Sequence, residues 1–185
     1  MGNAAAGAGL SLLMRGNTSE AREWFARASE RYHESWAEAP PGSWGRPIGI
    51  LKAHVLAGDW AAAERDARWT LEQRPDNAAT PIGRYAAALA HAVLREWNEL
   101  RIHADALRQD DTFPHDVADA LAAVASPDPI AYVEAVESVL ASFETRDEYL
   151  EDLPAADTVV VLQALAARRG IQPAELESEL LPASR

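Results

Sequence analysis

Apolar residues in the first hundred positions recur three and four apart, the spacing of amphipathic helices. Gly9-Leu10-Ser11-Leu12-Leu13-Met14 keeps that period up to Gly16, a helix stop, and a second run starts at once. In that run Ala21, Trp24, Phe25, Ala28 and Tyr32 share one face. Thr18 or Ser19 stands where a cap belongs, and Glu20 and Glu23 sit in the first turn, which the helix dipole favours. The stop-and-start returns at His54-Val55-Leu56-Ala57-Gly58-Asp59-Trp60 and at His91-Ala92-Val93-Leu94-Arg95-Glu96-Trp97. The helix after Trp60 continues through Ala63, Ala67 and Leu71 to Pro75; the one after Trp97 through Leu100, Ala104 and Leu107. Pro47-Ile48-Gly49 and Pro81-Ile82-Gly83 open the preceding helices, 34 residues apart. Proline suits a helix start, where its missing N–H would be unpaired anyway.

Helix pairs at this period resemble the tetratricopeptide repeat, two antiparallel helices per 34-residue unit. Gly9, Leu12, Gly16, Ala21, Phe25 and Ala28 stand at that family's spacing in the first unit, and Gly58, Trp60, Ala63, Leu71 and Pro75 in the second. Leu51 replaces the usual glycine and Thr70 the usual alanine of the second unit; Arg95 and Leu100 are the departures in the third. The resemblance covers residues 3–109, with Pro40-Pro41-Gly42-Ser43 lengthening the first inter-repeat loop. It implies a concave groove lined by the first helix of each pair, holding a peptide or partner helix. Carried over by position, the groove residues are Asn3, Ala6, Leu10 and Leu13, then Ile48, Lys52 and Val55, then Tyr85 and Leu89 with Arg84 beside them.

Past residue 109 the repeat fades into an acidic turn, Arg108 to Thr112. Helices are expected from Phe113 or Pro114 to Ala125, over 129–144, and over 154–169, where Gly170 is the stop. Residues 172–185 form a short tail in which Pro173 is expected to open a last turn and Leu180-Leu181-Pro182 to dock back. These helices are expected to cap or extend the repeats, because a terminal repeat leaves an apolar flank uncovered. The expected architecture is therefore all-α: an α-solenoid of helical hairpins over 1–110, then an acidic helical extension, 111–185, packed on it as one continuous domain. Tyr149-Leu150-Glu151-Asp152, Asp157-Thr158-Val159 and Glu177-Ser178-Glu179-Leu180-Leu181-Pro182 are similar to the C-terminal part of immunity protein family number 49 of polymorphic toxin systems. That resemblance implies an all-helical protein that neutralises a toxin by binding it.

Charge divides the chain differently. Residues 1–100 are nearly neutral, net −1, whereas 101–185 carry net −11 of the total −12. A basic patch for nucleic acid is missing from such a balance. Only one of the 17 basic residues, Lys52, is a lysine. The surplus of carboxylates and scarcity of lysine resemble proteins of salt-loving archaea, in which hydrated acidic surfaces tolerate strong screening. A GC-rich genome explains few lysines but not the excess acid. There is no cysteine, which excludes disulfides and thiol chemistry. No apolar run approaches a membrane span. The start Met1-Gly2-Asn3-Ala4 lacks the basic flank of a signal peptide, so a cytoplasmic protein is expected.

Candidate chemistry is sparse. The histidines, His33, His54, His91, His103 and His115, form no paired-ligand spacing, and His54 and His91 fall at core positions of the repeat. The acidic groups Asp110-Asp111, Asp116 with Asp119, and Glu144 to Asp152 lack the alternating oxygens and glycine of a calcium loop. Neither a nucleophile elbow nor a phosphate-cradling glycine loop is present. Trp24, Trp60 and Trp97 read as core, Trp36 and Trp44 as exposed contact residues. The expected function is a non-enzymatic interaction module without metal or cofactor, binding a peptide or protein partner. The alternatives are an antitoxin-like immunity protein whose acidic half masks a basic surface, and an enzyme of undefined type.

Overall fold

The computed structural model describes residues 2–77 and 80–183, all-helical apart from loops and an extended tail, with no strand among the described residues. In chain order the helices are α1 (Gly2–Met14), α2 (Thr18–Trp36), α3 (Gly45–Ala57), α4 (Trp60–Glu72), α5 (Pro81–Leu94), α6 (Trp97–Leu107), α7 (His115–Ala125), α8 (Pro129–Glu144) and α9 (Asp157–Arg169). Short 3₁₀ turns occupy Pro75–Asn77 and Leu150–Asp152. Consecutive helices from α1 to α8 pack on one another.

The first three helix pairs share one turn. The backbone N–H groups of Gly16 and Asn17 donate to Leu13 and Leu12, those of Gly58 and Asp59 to Val55 and His54, and those of Arg95 and Glu96 to Ala92 and His91. Each is a Schellman closure, which needs its first residue in the left-handed region. Gly16 and Gly58 take φ of 79° and 70° without strain, but Arg95 is forced to 64°. Arg95→Gly therefore stabilises the protein by about 1 kcal/mol, read as a higher urea midpoint at unchanged slope. Asn17 rather than Thr18 or Ser19 is the residue before α2, and its side chain makes no capping bond.

Small residues set how closely the pairs approach. A Cβ at Gly9 would lie 2.7 Å from the Phe25 ring, and one at Gly49 would lie 2.6 Å from Tyr32. Gly2 meets Tyr32 as well, so the α1 sequence rises as the α2 sequence falls and the two helices are antiparallel. Ala21, Phe25, Ala28 and Tyr32 are buried as their spacing predicts, while Trp24 remains 36% exposed under the Arg27 guanidinium. Of the departures from the repeat pattern, Leu51, Thr70 and Leu100 are buried and Arg95 is exposed.

Two apolar clusters form the core: one joins α1 and α2 to one side of α3, the other runs from Leu51 to Ile171 without a break near residue 110. Helix α5 is enclosed, with Tyr85 through Ala90, Ala92 and Val93 all buried. Helices α7 and α8 continue the packing of consecutive helices, and α9 follows after the second 3₁₀ turn. It turns back to lie against α3, α7 and α8, burying Val159, Val161, Leu162, Leu165 and Ala166. An apolar helical period fixes a buried face without naming the helices it will meet, which is why this return was not expected.

The tail follows as an extended segment. Ile171, Ala174, Leu176 and Leu180 turn toward the core while Glu175, Glu177 and Glu179 point to solvent. Gln163 holds it at both sides of Ala174, accepting from its N–H at 2.9 Å and donating to its carbonyl at 2.7 Å. Farther on, the Ala156 N–H donates to the Leu180 carbonyl at 2.8 Å.

Candidate functional site

The start of α1, the middle of α3 and the start of α9 meet around Lys52. The Lys52 ammonium donates to Asp157 Oδ2 and to Thr158 Oγ1, each at 2.8 Å, and both side chains of the ion pair are more than four-fifths buried. Burial alone would lower the Lys52 pKa, but the charge and hydrogen bond of Asp157, together with the Tyr85 and Tyr32 phenols, outweigh it and hold the ammonium above its ordinary value. The buried Tyr85 phenol faces the same pair; desolvation raises its pKa, partly opposed by Lys52. Tyr32 is pushed up to about 12 by burial, and its hydroxyl donates to Asn3 Oδ1 at 2.8 Å.

A cleft of about 460 Å³ opens beside this cluster. Asn3, Tyr32, Ile48 and Lys52 form one wall; Phe143, Arg146, Tyr149 and Asp157 belong to the other. It shares Asn3, Tyr32 and Gly45 with a neighbouring hollow that reaches Arg46 and Glu151. Mixed apolar and hydrogen-bonding walls of this size suit a short peptide segment or a small organic ligand. The segment leading into α9 crosses here with Glu151 and Asp152 both at positive φ, 52° and 56°. Glu151 packs on Gly7 of α1, where the absence of a side chain leaves room for it.

The far end of α9 is fixed by two arginines. Arg168 pairs with Glu64 and lies 4.3 Å from the Trp60 ring centre; Arg169 lies 4.7 Å from that of Trp97. Trp60 and Trp97 open the second helices of two successive hairpins, so α9 spans both.

The expected groove residues are thus divided. Leu10, Val55, Tyr85 and Leu89 are buried in the chain's own core, and Leu13 and Arg84 are half-buried. Lys52 is engaged by α9, whereas Asn3 and Ile48 line the cleft. Asp157, Thr158, Tyr32, Arg146 and Tyr149 completed the site without being anticipated. The lone lysine marked one half of the pair, but nothing in the local sequence connects it to a residue 105 positions away.

A second polar cluster lies between α2, α3 and α4. His54 Nε2 is 2.8 Å and His33 Nε2 3.4 Å from Asp66 Oδ2, and Arg65 bonds both carboxylate oxygens. Burial would raise the Asp66 pKa, yet hydrogen bonds from His54, Arg65 and His33 outweigh it and hold it at about 2. The aromatic neighbours revise the tryptophan expectation: Trp44 is buried and Trp36 half-buried, in a cluster with Trp69. Among the described residues no group of three or more His, Asp or Glu is arranged to hold a metal ion, and no helix is long and apolar enough to cross a membrane.

Comparison with family models, with curated proteins and with solved structures returns no match for this chain.

Proposed function

We propose that the protein is a non-enzymatic, cytoplasmic interaction module. Its three tetratricopeptide-like hairpins hold a short segment of a partner protein in the cleft beside Asn3, Tyr32 and Ile48. The carrying observation is the division of the expected groove. Its Val55–Tyr85–Leu89 portion shares one buried cluster with α9, while its amino-terminal end stays open as the cleft. The repeated turn at residues 16, 58 and 95 supports the repeat assignment.

A photo-crosslinking amino acid at Ile48 tests this reading, with Arg27 on the opposite side of the first hairpin as control. The expected result is one crosslinked partner in the native host, from position 48 only, lost when Asn3→Trp fills the cleft. Equal labelling from both positions contradicts it.

A second reading, an immunity protein that covers a basic toxin surface, rests on a different observation. Glu134, Glu137, Glu144, Asp147, Glu148, Glu151, Asp152, Glu175, Glu177 and Glu179 are all exposed, and none forms an ion pair among the described residues. Such a face speeds capture of a basic partner at low salt. Protection of cells against a toxin encoded by the adjacent gene is the expected result, and unprotected cells contradict the reading. The same carboxylates fit a salt-adapted surface, for which the melting temperature rises toward molar KCl; a flat or falling curve contradicts salt adaptation.

A further inference from the structure

The tail leaves α9 at Gly170 and runs back along it. Its direction follows from its bonds: Ala174 meets Gln163 in the middle of α9, and the Leu180 carbonyl accepts from the Ala156 N–H at the start of that helix. The tail is therefore antiparallel to α9. Gln163 is held ready for it by α8. Its Oε1 accepts at 2.6 Å from the hydroxyl of Tyr132, a side chain with no exposed surface. Burial raises the pKa of that phenol, so it remains a donor. With the amide fixed in this way, Oε1 and Nε2 face the N–H and carbonyl of one residue, at 2.9 and 2.7 Å. Such a clamp reads an extended backbone rather than a side chain.

The segment seated on this clamp is loosely held. Past Ile171 no described residue of the tail is fully buried; Ala174, Leu176, Leu180 and Leu181 pack on the core with part of their surface still in water. Glu175, Glu177 and Glu179 are exposed and form no ion pair among the described residues. Ser178, between two of them, donates to Glu144 Oε1 at 2.8 Å, which sets a further carboxylate beside the tail. Like charges so placed oppose docking. The connection to α9 is a hinge: Gly170 has φ of 89° with open space around it, and Gln172 and Pro173 are exposed. A preformed groove, a terminal segment of low local stability and an exposed hinge are the elements that copies of a chain exchange.

We propose that the α8–α9 surface beneath the tail is an interface between copies of this chain, in which the Gln163 clamp takes the tail of a second copy in place of its own. The occupant is identified by fit. A second tail sets its Ala174 on the clamp and its Leu176 and Leu180 on the apolar surface, repeating the contacts of the first. What exchange loses is proximity. Behind so short a hinge the chain's own tail has an effective concentration on the order of 1 mM, so wild-type copies associate only as the protein approaches that range. The interface is separate from the cleft beside Asn3 and does not depend on what that cleft binds.

Two variants of the full chain separate tail from groove. Leu176→Ser/Leu180→Ser spoils the tail and leaves the clamp, whereas Gln163→Ala spoils the clamp and leaves the tail. Sedimentation velocity is expected to show each variant alone as a monomer and their equal mixture as a dimer, because the freed tail of one fills the vacated groove of the other. Near-ultraviolet circular dichroism checks that both are folded. A synthetic peptide of residues 171–183 gives a readout that does not need the clamp variant. It is expected to bind the Leu176→Ser/Leu180→Ser protein about tenfold more tightly than wild type, whose own tail competes for the groove. A mixture of folded variants that stays monomeric, or equal peptide affinity for wild type and the tail variant, overturns the proposal. So does a dimer that the Gln163→Ala variant forms by itself, since it uses another surface.

Discussion

Replacing Lys52 with methionine lowers the unfolding free energy by about 3–5 kcal/mol, because the Asp157 carboxylate is left buried without its cation. The loss is expected although Lys52 lies on the face that would otherwise receive a partner. Asp157→Leu alone strands the ammonium and carries a similar loss. The double variant Lys52→Met/Asp157→Leu recovers most of it, since two apolar side chains of comparable volume replace a desolvated pair. Urea unfolding of the four proteins closes the cycle, and a coupling below about 1 kcal/mol means that the pair behaves as an ordinary surface contact. The sign of the lysine shift fixes the pH range. Because the folded pKa stands above the ordinary 10.5, the contribution is complete below that pH and is lost only as pH rises through the folded value.

Leu165→Ala in α9 and Leu121→Ala in α7 each cost about 3 kcal/mol and shift one and the same unfolding transition. Both side chains are fully buried, and both belong to the cluster that extends from Leu51 to Ile171. An appendage laid on a finished repeat array would behave differently. Leu165→Ala would then release α9 in a separate early transition and leave the main one in place. The two variants, followed by near- and far-ultraviolet circular dichroism, distinguish these outcomes directly.

The parts of the fold that were legible in the sequence are those governed by local chemistry. The Pro129–Glu144 helix has Asp128 before it, whose side chain accepts from Ile130 and Ala131 N–H groups, and apolar residues at helical spacing within it. Gly58 and Gly170 stop their helices in the left-handed conformation as glycines do. Long-range placement was not legible. The same apolar spacing that marks Val159, Leu162 and Leu165 as a helix face is satisfied at the end of the stack or against α3. The choice is made by the Lys52–Asp157 pair and by Arg168 and Arg169 meeting Trp60 and Trp97. The alternation of Ala174, Leu176 and Leu180 with Glu175, Glu177 and Glu179 was a readable signal for an extended, half-buried strand-like tail. A helical turn was a weaker fit there. Trp44 shows the opposite limit, since a tryptophan beside a proline-rich loop looks exposed until Trp36 packs against it.

The candidate site follows the same division. Asn3 and Ile48 were placed by their position in a repeat, and they line an open cleft. Val55, Tyr85 and Leu89 were placed by the same rule, yet the chain itself covers them. The groove was an expectation from the hairpin pattern, whereas these residues share their buried cluster with a helix about seventy residues farther along.

Native-state hydrogen exchange of the α9 amides tests most directly whether the chain closes its own groove. Residues 159–166 are expected to exchange only by global unfolding, with protection matching that of α5 and α7 and rising together with it as conditions stabilise the fold. Exchange of these amides several kcal/mol below the global value, with α5 still protected, would contradict the account and return the whole groove to a partner.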